Sequence, residues 1–202
     1  LRFGLALASL VLATALASAS VRLFVSIQGK RAGQAVASQK LMPDGTKVVQ
    51  LSIQLAGPGG NKVTLRSESM YSAKGAPLRM FHESVTTKPA TRRTVTVSFT
   101  KGGANVVEEV GGKRSTKLVP LAPGAPLEAK SEFWFLRDQP KPGAVDRHYR
   151  FDVSSLTWEI TTSTYVGKKS IAIAGKPVSA HEVQSTKGIA YLDAAGLPVK
   201  LD

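Results

Sequence analysis

The side chains best suited to acid–base chemistry or metal binding are three histidines. His82 stands in RMFHESV, His148 in DRHYRFD and His181 in SAHEVQS, and each stretch predicts a β-strand. His82 and His181 are each followed by a glutamate, but neighbouring side chains on a strand point to opposite faces and cannot act together locally. The sequence contains neither HExxH nor a His-x-His pair, so it predicts no metal site.

Nucleophiles and carboxylates give no stronger indication of an enzyme. The chain has no cysteine, and no serine lies in a G-x-S-x-G turn. Glu108 and Glu109 are adjacent and point apart on a strand, whereas a glycosidase needs two acids that face one cleft. No glycine pattern of a nucleotide site is present, so no cofactor is predicted. We expect a protein without enzymatic activity.

The most distinctive apolar stretch is SEFWFLRDQPKPG, residues 131–143. Its four large apolar residues, 133–136, cannot alternate between two faces, and Pro140 and Pro142 end any strand or helix behind them. Two interpretations stay open: a short plug in the core of a sheet, or the wall of a pocket for an apolar ligand. In the second interpretation the wall would consist of Phe133, Trp134, Phe135 and Trp158.

Most of the remaining chain consists of short segments in which apolar and polar residues alternate. Val49, Leu51 and Ile53 share one face of KVVQLSIQL, and Val95 and Val97 share one face of RTVTVSFT. Clusters of glycine and proline separate these segments at about 8 to 12 residues, a spacing typical of all-β folds. We predict an all-β fold built from a single strongly curved antiparallel sheet or half-barrel of about 11 or 12 strands, with a short plug segment.

A strongly curved sheet has a concave apolar face, which a plug, a second sheet or a ligand must fill. The FWFL residues would be the filler, and Trp158 would stand on the floor beneath them. If the filling is incomplete, the gap is a lipid-sized pocket with a cationic rim. The candidates for that basic rim are Arg79, Arg92 and Arg93.

The N-terminal segment has the pattern of a secretory signal peptide. Arg2 precedes an apolar run, and Ala17-Ser18-Ala19 fits the rule of small residues before a cleavage site. The run is short for a membrane span, which needs about 20 apolar residues; a retained anchor is the alternative. We predict a signal helix over residues 1–19 and one antiparallel β domain over 20–202, located in the periplasm or otherwise exported after cleavage near Ala19.

The positive charge is concentrated in the first half of the predicted domain. Residues 20–107 contain 13 Lys and Arg against three acids, whereas residues 108–202 contain 13 against 11. A basic half attracts anionic lipid head groups, other phosphates or nucleic acid, or it serves only as a solvated surface. Export argues against nucleic acid. A lipid, an acylated envelope partner or a membrane surface is therefore the expected contact.

The last third of the chain carries three segments that resemble known proteins. They are FWFLRDQPKPG, YVGKKSIAIAGKPVSAHEVQSTKG and YLDAAGLPVKLD. The series resembles uncharacterised bacterial envelope domains in which such hairpins complete an antiparallel sheet. By analogy these domains look like the curved half-barrel sheets of periplasmic lipoprotein carriers. The resemblance covers residues 131–202 and implies no catalytic residues; it implies a fold, and function inferred from a fold is analogy.

Taken together, the sequence predicts an exported, non-enzymatic protein that binds a lipid or another apolar or anionic envelope component in the concave face of its sheet. The first alternative is a structural or interaction domain of an envelope assembly, with a fully packed core and no ligand. The most distant alternative is a hydrolase whose acids or histidines meet only on folding.

Overall fold

The fold is nearly all β and is organised as two antiparallel sheets. The computed structural model describes residues 18–27, 30–121, 133–173, 175–186 and 188–201. Within these residues the chain forms thirteen strands, one short α-helix and a single 3-10 turn at Pro58–Gly60.

The first sheet contains eight strands, each hydrogen-bonded to the next along the chain. Its strands are β1 (Ser18–Ile27), β2 (Lys30–Leu41), β3 (Lys47–Ala56), β4 (Lys62–Tyr71), β5 (Pro77–Thr87), β6 (Ala90–Thr100), β7 (Gly103–Val110) and β8 (Lys113–Pro120). Between the described strands, glycines with positive φ occupy several of the turns, such as Gly111 and Gly112 between β7 and β8. The turn glycines in the sequence therefore mark the hairpins correctly.

The second sheet follows the helix and contains five strands. The helix is α1 (Trp134–Asp138), and the strands are β9 (Val145–Asp152), β10 (Thr157–Ile173), β11 (Lys176–Ser185), β12 (Gly188–Leu192) and β13 (Pro198–Leu201). These five strands also pair in chain order. Strands β1 and β13, at one edge of each sheet, contact each other.

The prediction of an all-β antiparallel fold is confirmed, and the prediction of a single sheet is wrong. The described residues form two sheets with thirteen strands rather than one sheet with about 11 or 12. The division falls where the succession of hairpins stops, because β8 and β9 are separated by residues 121–144, which include α1. The predicted signal helix lies outside the described residues; β1 begins at Ser18, inside the segment assigned to it.

The first sheet has one face that is consistently more apolar, as the alternation predicts. Ala35 and Ala37 on β2 lie opposite Ile53 and Leu51 on β3, and this row of side chains continues across the sheet. On β6 the same face carries Val95 and Val97, which are fully buried. We call this the inner face, and the opposite one the outer face.

The two sheets share a first hydrophobic core. It lies beside strands β6 and β7 of the eight-stranded sheet. Its buried members come from both sheets: Val95, Val97, Ala104, Val106, Phe151 and Leu156. Trp158 and Phe99 pack against this cluster, and the Trp158 indole N–H donates to the Val119 carbonyl of β8 over 3.2 Å. Leu156 lies in the β9–β10 turn with a φ of 56°.

A second core forms between α1 and the five-stranded sheet. Trp134, Phe135, Tyr165 and Val183 are its buried members. The helix ends at Asp138, because Gln139 adopts a left-handed conformation and Pro140 cannot continue a helix. The FWFL segment is thus a single helical turn that presents two aromatic rings to the sheet.

Candidate functional site

The most distinctive depression near the FWFL segment is a cleft between α1 and the turns that precede β3 and follow β4. Its volume is about 250 Å³. The residues that line it are Leu41, Gly45, Lys47, Tyr71, Ser72, Ala73, Lys74, Gly75, Phe133, Leu136 and Arg137. We call it the α1 cleft. Its lining combines apolar side chains with three cations, Lys47, Lys74 and Arg137.

The apolar floor of the α1 cleft is built around Phe133. The Tyr71 ring meets the Phe133 ring edge to face, with 5.7 Å between the ring centroids. Leu136 follows one helical turn later, and its amide N–H donates to the Phe133 carbonyl over 3.0 Å. Phe133 is therefore held by packing and is only half-buried, so part of its ring faces the cleft.

Lys47 is the cation closest to this floor. Its ammonium nitrogen lies 4.2 Å from the centroid of the Phe133 ring, a distance at which a cation is attracted to the aromatic face. Burial lowers the pKa of Lys47, and the Asp193 carboxylate opposes that shift. A partly desolvated ammonium attracts an anion more strongly than a fully solvated one, because the local dielectric is lower.

The helix contributes a second cation to the α1 cleft. Arg137 donates from Nη1 to the Lys74 carbonyl oxygen over 2.7 Å, which ties α1 to the β4–β5 turn. The same guanidinium pairs with Asp138 at 2.7 Å, and this hydrogen bond raises the pKa of Arg137. The Lys74 side chain lies at the exposed margin of the cleft.

The structure does not bring the four predicted wall residues into one wall. Trp134 and Phe135 are 2% and 1% exposed, within the core between α1 and the second sheet. Trp158 packs in the other core, on Phe99 and Phe151. Of the four predicted wall residues, Phe133 lines the α1 cleft. The burial of Trp134 and Phe135 matches the interpretation of this segment as a plug, and whether the segment binds a ligand stays a prediction.

The three predicted rim arginines also lie apart. The strand register places Arg79 and Arg92 on the outer face of the first sheet and Arg93 on its inner face. Arg92 pairs with Glu83 at 2.8 Å. Arg93 pairs with Glu108 at 2.7 Å and donates from Nη2 to the Val153 carbonyl over 3.2 Å. Arg93 thus joins the two sheets.

Folding places the groups of a potential acid–base cluster on one face of the second sheet. His148 Nδ1 lies 2.6 Å from Asp146 Oδ2, and Ser163 on β10 stands directly opposite Asp146. All three side chains are buried. Ser163 Oγ accepts a hydrogen bond from the Trp134 indole over 3.1 Å, so its hydroxyl belongs to the core of α1. Burial on this scale leaves a substrate no access to the serine, so the arrangement gives the hydrolase alternative little support.

His181, on β11, contacts the same core between α1 and the second sheet. Its ring lies 5.5 Å from the Phe135 ring, and its Nδ1 is 3.0 Å from the Tyr165 hydroxyl. Burial lowers the pKa of His181, the nearby Lys168 lowers it further, and Asp193 acts in the opposite direction. A neutral imidazole can accept the tyrosine hydrogen bond at Nδ1, whereas a protonated one cannot.

Sequence reasoning missed most of the α1 cleft. Lys47 and Tyr71 lie far from the FWFL segment in sequence, and neither stands in a recognisable motif. Within the described residues, no three His, Cys, Asp or Glu side chains are grouped so that they could hold a metal ion. In the same residues, no helix combines the length and apolar character needed to cross a membrane.

Comparison with known proteins adds little to this description. No protein-family model matches the chain, and no curated protein matches it. Among solved structures, it is similar to a β-barrel-like protein of the domain of unknown function DUF1849 from Brucella abortus. The sequence identity is 13%, the similarity covers 91% of this chain and 83% of that chain, and the TM-score is 0.45. A likeness at this level does not bear on what the chain does.

Proposed function

We propose that this protein is an exported, non-enzymatic binding protein whose α1 cleft takes an amphiphile with an anionic head, such as a lipid. The observation that carries the proposal is the composition of the cleft. Phe133, Leu136 and Tyr71 form an apolar floor, and Lys47 lies directly over one of its rings. An acyl chain would pack on the floor while its head group pairs with the ammonium.

The charge of the cleft favours an anion over a neutral apolar ligand. Lys47, Lys74 and Arg137 all contribute to its lining. Arg137 already pairs with Asp138, so a head group would meet Lys74 and Lys47, and at Lys47 it would compete with the Asp193 carboxylate. Export and a periplasmic location are parts of the same proposal and rest on the N-terminal signal pattern. The proposed resemblance to periplasmic lipoprotein carriers is an analogy of fold and rests on the hairpin motifs of the last third.

The test begins with the full chain, produced in a bacterial host and extracted with organic solvent after purification. Mass spectrometry of the extract identifies lipid that purifies with the protein. The delipidated protein is then titrated with oleate and with lysophosphatidylglycerol, which offer a carboxylate and a phosphate head respectively. Tighter binding of one of the two identifies the preferred head group.

Two substitutions locate the site. Phe133→Ala removes the apolar floor, and burying a phenylalanine side chain is worth about 1.5–3 kcal/mol. Lys47→Gln removes the central cation, and a hydrogen bond to a charged group is worth a similar amount, about 1.5–3 kcal/mol. Each substitution should therefore weaken binding by about tenfold. Lys62→Gln changes an exposed lysine at the start of β4, away from the α1 cleft, and should leave binding unchanged. Equal binding by Phe133→Ala and the unchanged protein would refute the site.

The second candidate is a structural or interaction domain without a ligand. The nearly complete burial of Trp134 and Phe135 favours it, because a segment packed in this way fills the core by itself. Under this alternative no lipid purifies with the protein and neither amphiphile binds. The same titrations therefore decide between the two candidates.

A further inference from the structure

The outer face of the first sheet carries an excess of positive charge, which we call the basic face. On strands β1 to β6 the register places two acids there, Glu68 and Glu83, and six cations. The six cations are Arg22, Lys40, Lys62, Arg66, Arg79 and Arg92. Six cations against two acids leave an excess of four among the described side chains. Farther along the sheet, Glu109 on β7 faces Arg114 on β8, so the excess stays the same.

The cations of the basic face are more accessible than its acids. All six cationic side chains are exposed, whereas Glu68 and Glu83 are half-buried. Arg92 Nε donates to Glu83 Oε1 over 2.8 Å, and Gln50 Nε2 donates to Glu68 Oε2 over 2.9 Å. Both carboxylates are therefore occupied by groups of this protein. A partner that approaches the face meets a surface even more cationic than the count of charges indicates.

Three cations of the basic face remain available to a partner: Arg22, Lys40 and Arg79. In the part of the chain that the structure describes, none of the three has an ion-pair partner. Lys40 and Arg79 stand in one row across β2 to β5, with Val48 and Met70 between them. Strands are about 4.8 Å apart, so the two cations are about 14 Å apart.

Arg22 extends the separation in the other direction. It stands on β1 opposite Val36, four residues before Lys40 on β2, which is about 14 Å along the strand. The three cations are thus spread over two dimensions of the sheet. Such a spread suits an extended anionic surface better than one small anion, because each cation can meet a separate anionic group.

One large apolar side chain accompanies these cations. Phe24 stands two residues after Arg22 on the same face of β1 and is 65% exposed. Proteins that lie on a membrane surface combine basic residues with apolar side chains, which enter the boundary between head groups and acyl chains. A duplex nucleic acid would also attract the cations, but its phosphate backbone offers no apolar layer for the phenylalanine ring. The combination therefore favours a lipid surface.

We infer that the basic face docks on an anionic lipid bilayer. Arg22, Lys40 and Arg79 lie against the head groups, and the Phe24 ring enters the boundary below them. Each cation near such a surface strengthens binding by about fivefold. This contact goes beyond the binding of a single amphiphile proposed above, and none of these four residues lines the α1 cleft.

The test measures binding of the full chain to vesicles of two compositions. One is phosphatidylcholine alone, and the other is phosphatidylcholine mixed with phosphatidylglycerol, which adds anionic head groups. Flotation separates bound from free protein and gives the dissociation constant. We expect binding to the mixed vesicles that weakens steeply as salt is added, because salt screens exposed charges. The neutral vesicles should bind little protein.

Two triple variants separate the basic face from the net charge of the chain. The basic-face variant replaces the three available cations: Arg22→Gln, Lys40→Gln and Arg79→Gln. The control variant replaces three exposed cations outside the first sheet: Lys141→Gln, Arg147→Gln and Lys176→Gln. At about fivefold for each cation, the basic-face variant should bind the mixed vesicles about 100-fold more weakly. The control variant, which loses the same charge, should bind nearly as well as the unchanged protein.

Single substitutions test the apolar contact and the route of binding. Phe24→Ser keeps the charge and should weaken vesicle binding by about tenfold, because an apolar side chain no longer leaves water. Val145→Ser changes a similarly exposed apolar side chain on β9 and should have no effect. Phe133→Ala alters the α1 cleft and should leave vesicle binding unchanged.

Several results would overturn the inference. They are absence of binding to the mixed vesicles, equal binding to the neutral ones, and equal binding by the two triple variants. A loss of vesicle binding in Phe133→Ala without a loss in the basic-face variant would place the vesicle lipid in the α1 cleft instead. Tighter binding of a DNA duplex than of the mixed vesicles would assign the basic face to nucleic acid. The basic-face variant leaves Lys47 and Phe133 in place, so failure here does not affect the titrations of the α1 cleft.

Discussion

Trp134 and Ser163 are joined by a hydrogen bond of 3.1 Å from the indole Nε1 to the serine Oγ, and both side chains are buried. This bond links α1 to the centre of β10. A buried indole N–H without a partner would be costly, so the serine fixes both the position and the orientation of the tryptophan. The hydrogen bond also explains why a polar residue, Ser163, occupies an inward-facing position on β10.

The first prediction concerns the stability that Trp134 provides. Trp134→Ala should lower the free energy of unfolding by about 3–5 kcal/mol, because it leaves a large cavity and an unpaired serine. Leu118→Ala removes an exposed apolar side chain from β8 and should change the stability by less than about 0.5 kcal/mol. Urea denaturation measures both values. A loss of less than about 1 kcal/mol for Trp134→Ala would contradict the role of α1 as a plug.

The second prediction concerns the β12–β13 turn, which packs on the helix. Gly196 has a φ of 87°, and a Cβ atom there would lie 2.8 Å from Phe133 Cδ1 and 2.9 Å from Leu136 Cδ1. Gly143 has nearly the same φ, 88°, but a Cβ atom would meet nothing within 4 Å. The loss of stability in Gly143→Ala therefore measures the backbone strain of a positive φ without any steric contact, and we expect about 1–2 kcal/mol.

Gly196→Ala should lower the free energy of unfolding by this backbone strain and by about 1–3 kcal/mol more, because the helix must shift to make room for the Cβ atom. Thermal or urea unfolding of the two variants measures the difference. The same substitution should narrow or displace the α1 cleft, whose floor contains Phe133 and Leu136. Equal losses of stability in the two variants would show that the turn does not press on the helix.

The third prediction separates the two neighbouring arginines of β6. Arg93→Ala should destabilise the protein by about 1.5–3 kcal/mol, since its side chain is 25% exposed and bonds to Glu108 and to the β9–β10 turn. Arg92→Ala should cost less than about 1 kcal/mol, because that ion pair is on the surface, with the arginine 69% exposed. If both variants lose the same stability, Arg93 does not act as a tie between the sheets.

Alternation in the sequence was enough to predict which side chains share a face. Val95 and Val97 alternate with threonine, and both are buried in the shared core. The pattern could not show where one sheet ends, because alternation specifies the faces of a strand and not its neighbour. The two tryptophans illustrate the consequence: Trp134 and Trp158 were predicted to line one wall but lie in different cores.

The candidate site was predictable only in part, for a related reason. The FWFL segment stands out by composition, and Phe133 does line the α1 cleft. Its partners Lys47 and Tyr71 belong to ordinary strands, which the order of the hairpins brings beside the helix. Gly196 was visible as a turn residue, but its contact with Phe133 depends on the packing of β12 and β13 over α1.

The last prediction concerns pH and rests on His181. Burial lowers the pKa of His181 in the folded state, and the unfolded chain takes up its proton near pH 6.5. Between these two pKa values the unfolded state binds more protons than the folded state, so stability falls as the pH falls. The stability contributed by the neutral ring is complete above about pH 6.5 and is lost as the pH drops through the folded-state pKa.

Protonation would also require His181 Nδ1 to donate to the Tyr165 hydroxyl rather than accept from it, and it would place a positive charge beside Lys168. Denaturation curves between pH 7.5 and pH 5 should therefore show a decrease that His181→Gln makes smaller, because glutamine does not titrate. His82→Gln is the variant to compare with His181→Gln, because burial and the nearby Arg93 lower the pKa of His82 as well. The emission of Trp134, recorded in a Trp158→Phe background, reports on α1, and its pH response should be smaller in His181→Gln than in His82→Gln. If the emission keeps its pH response in His181→Gln, a different group controls the packing of the helix.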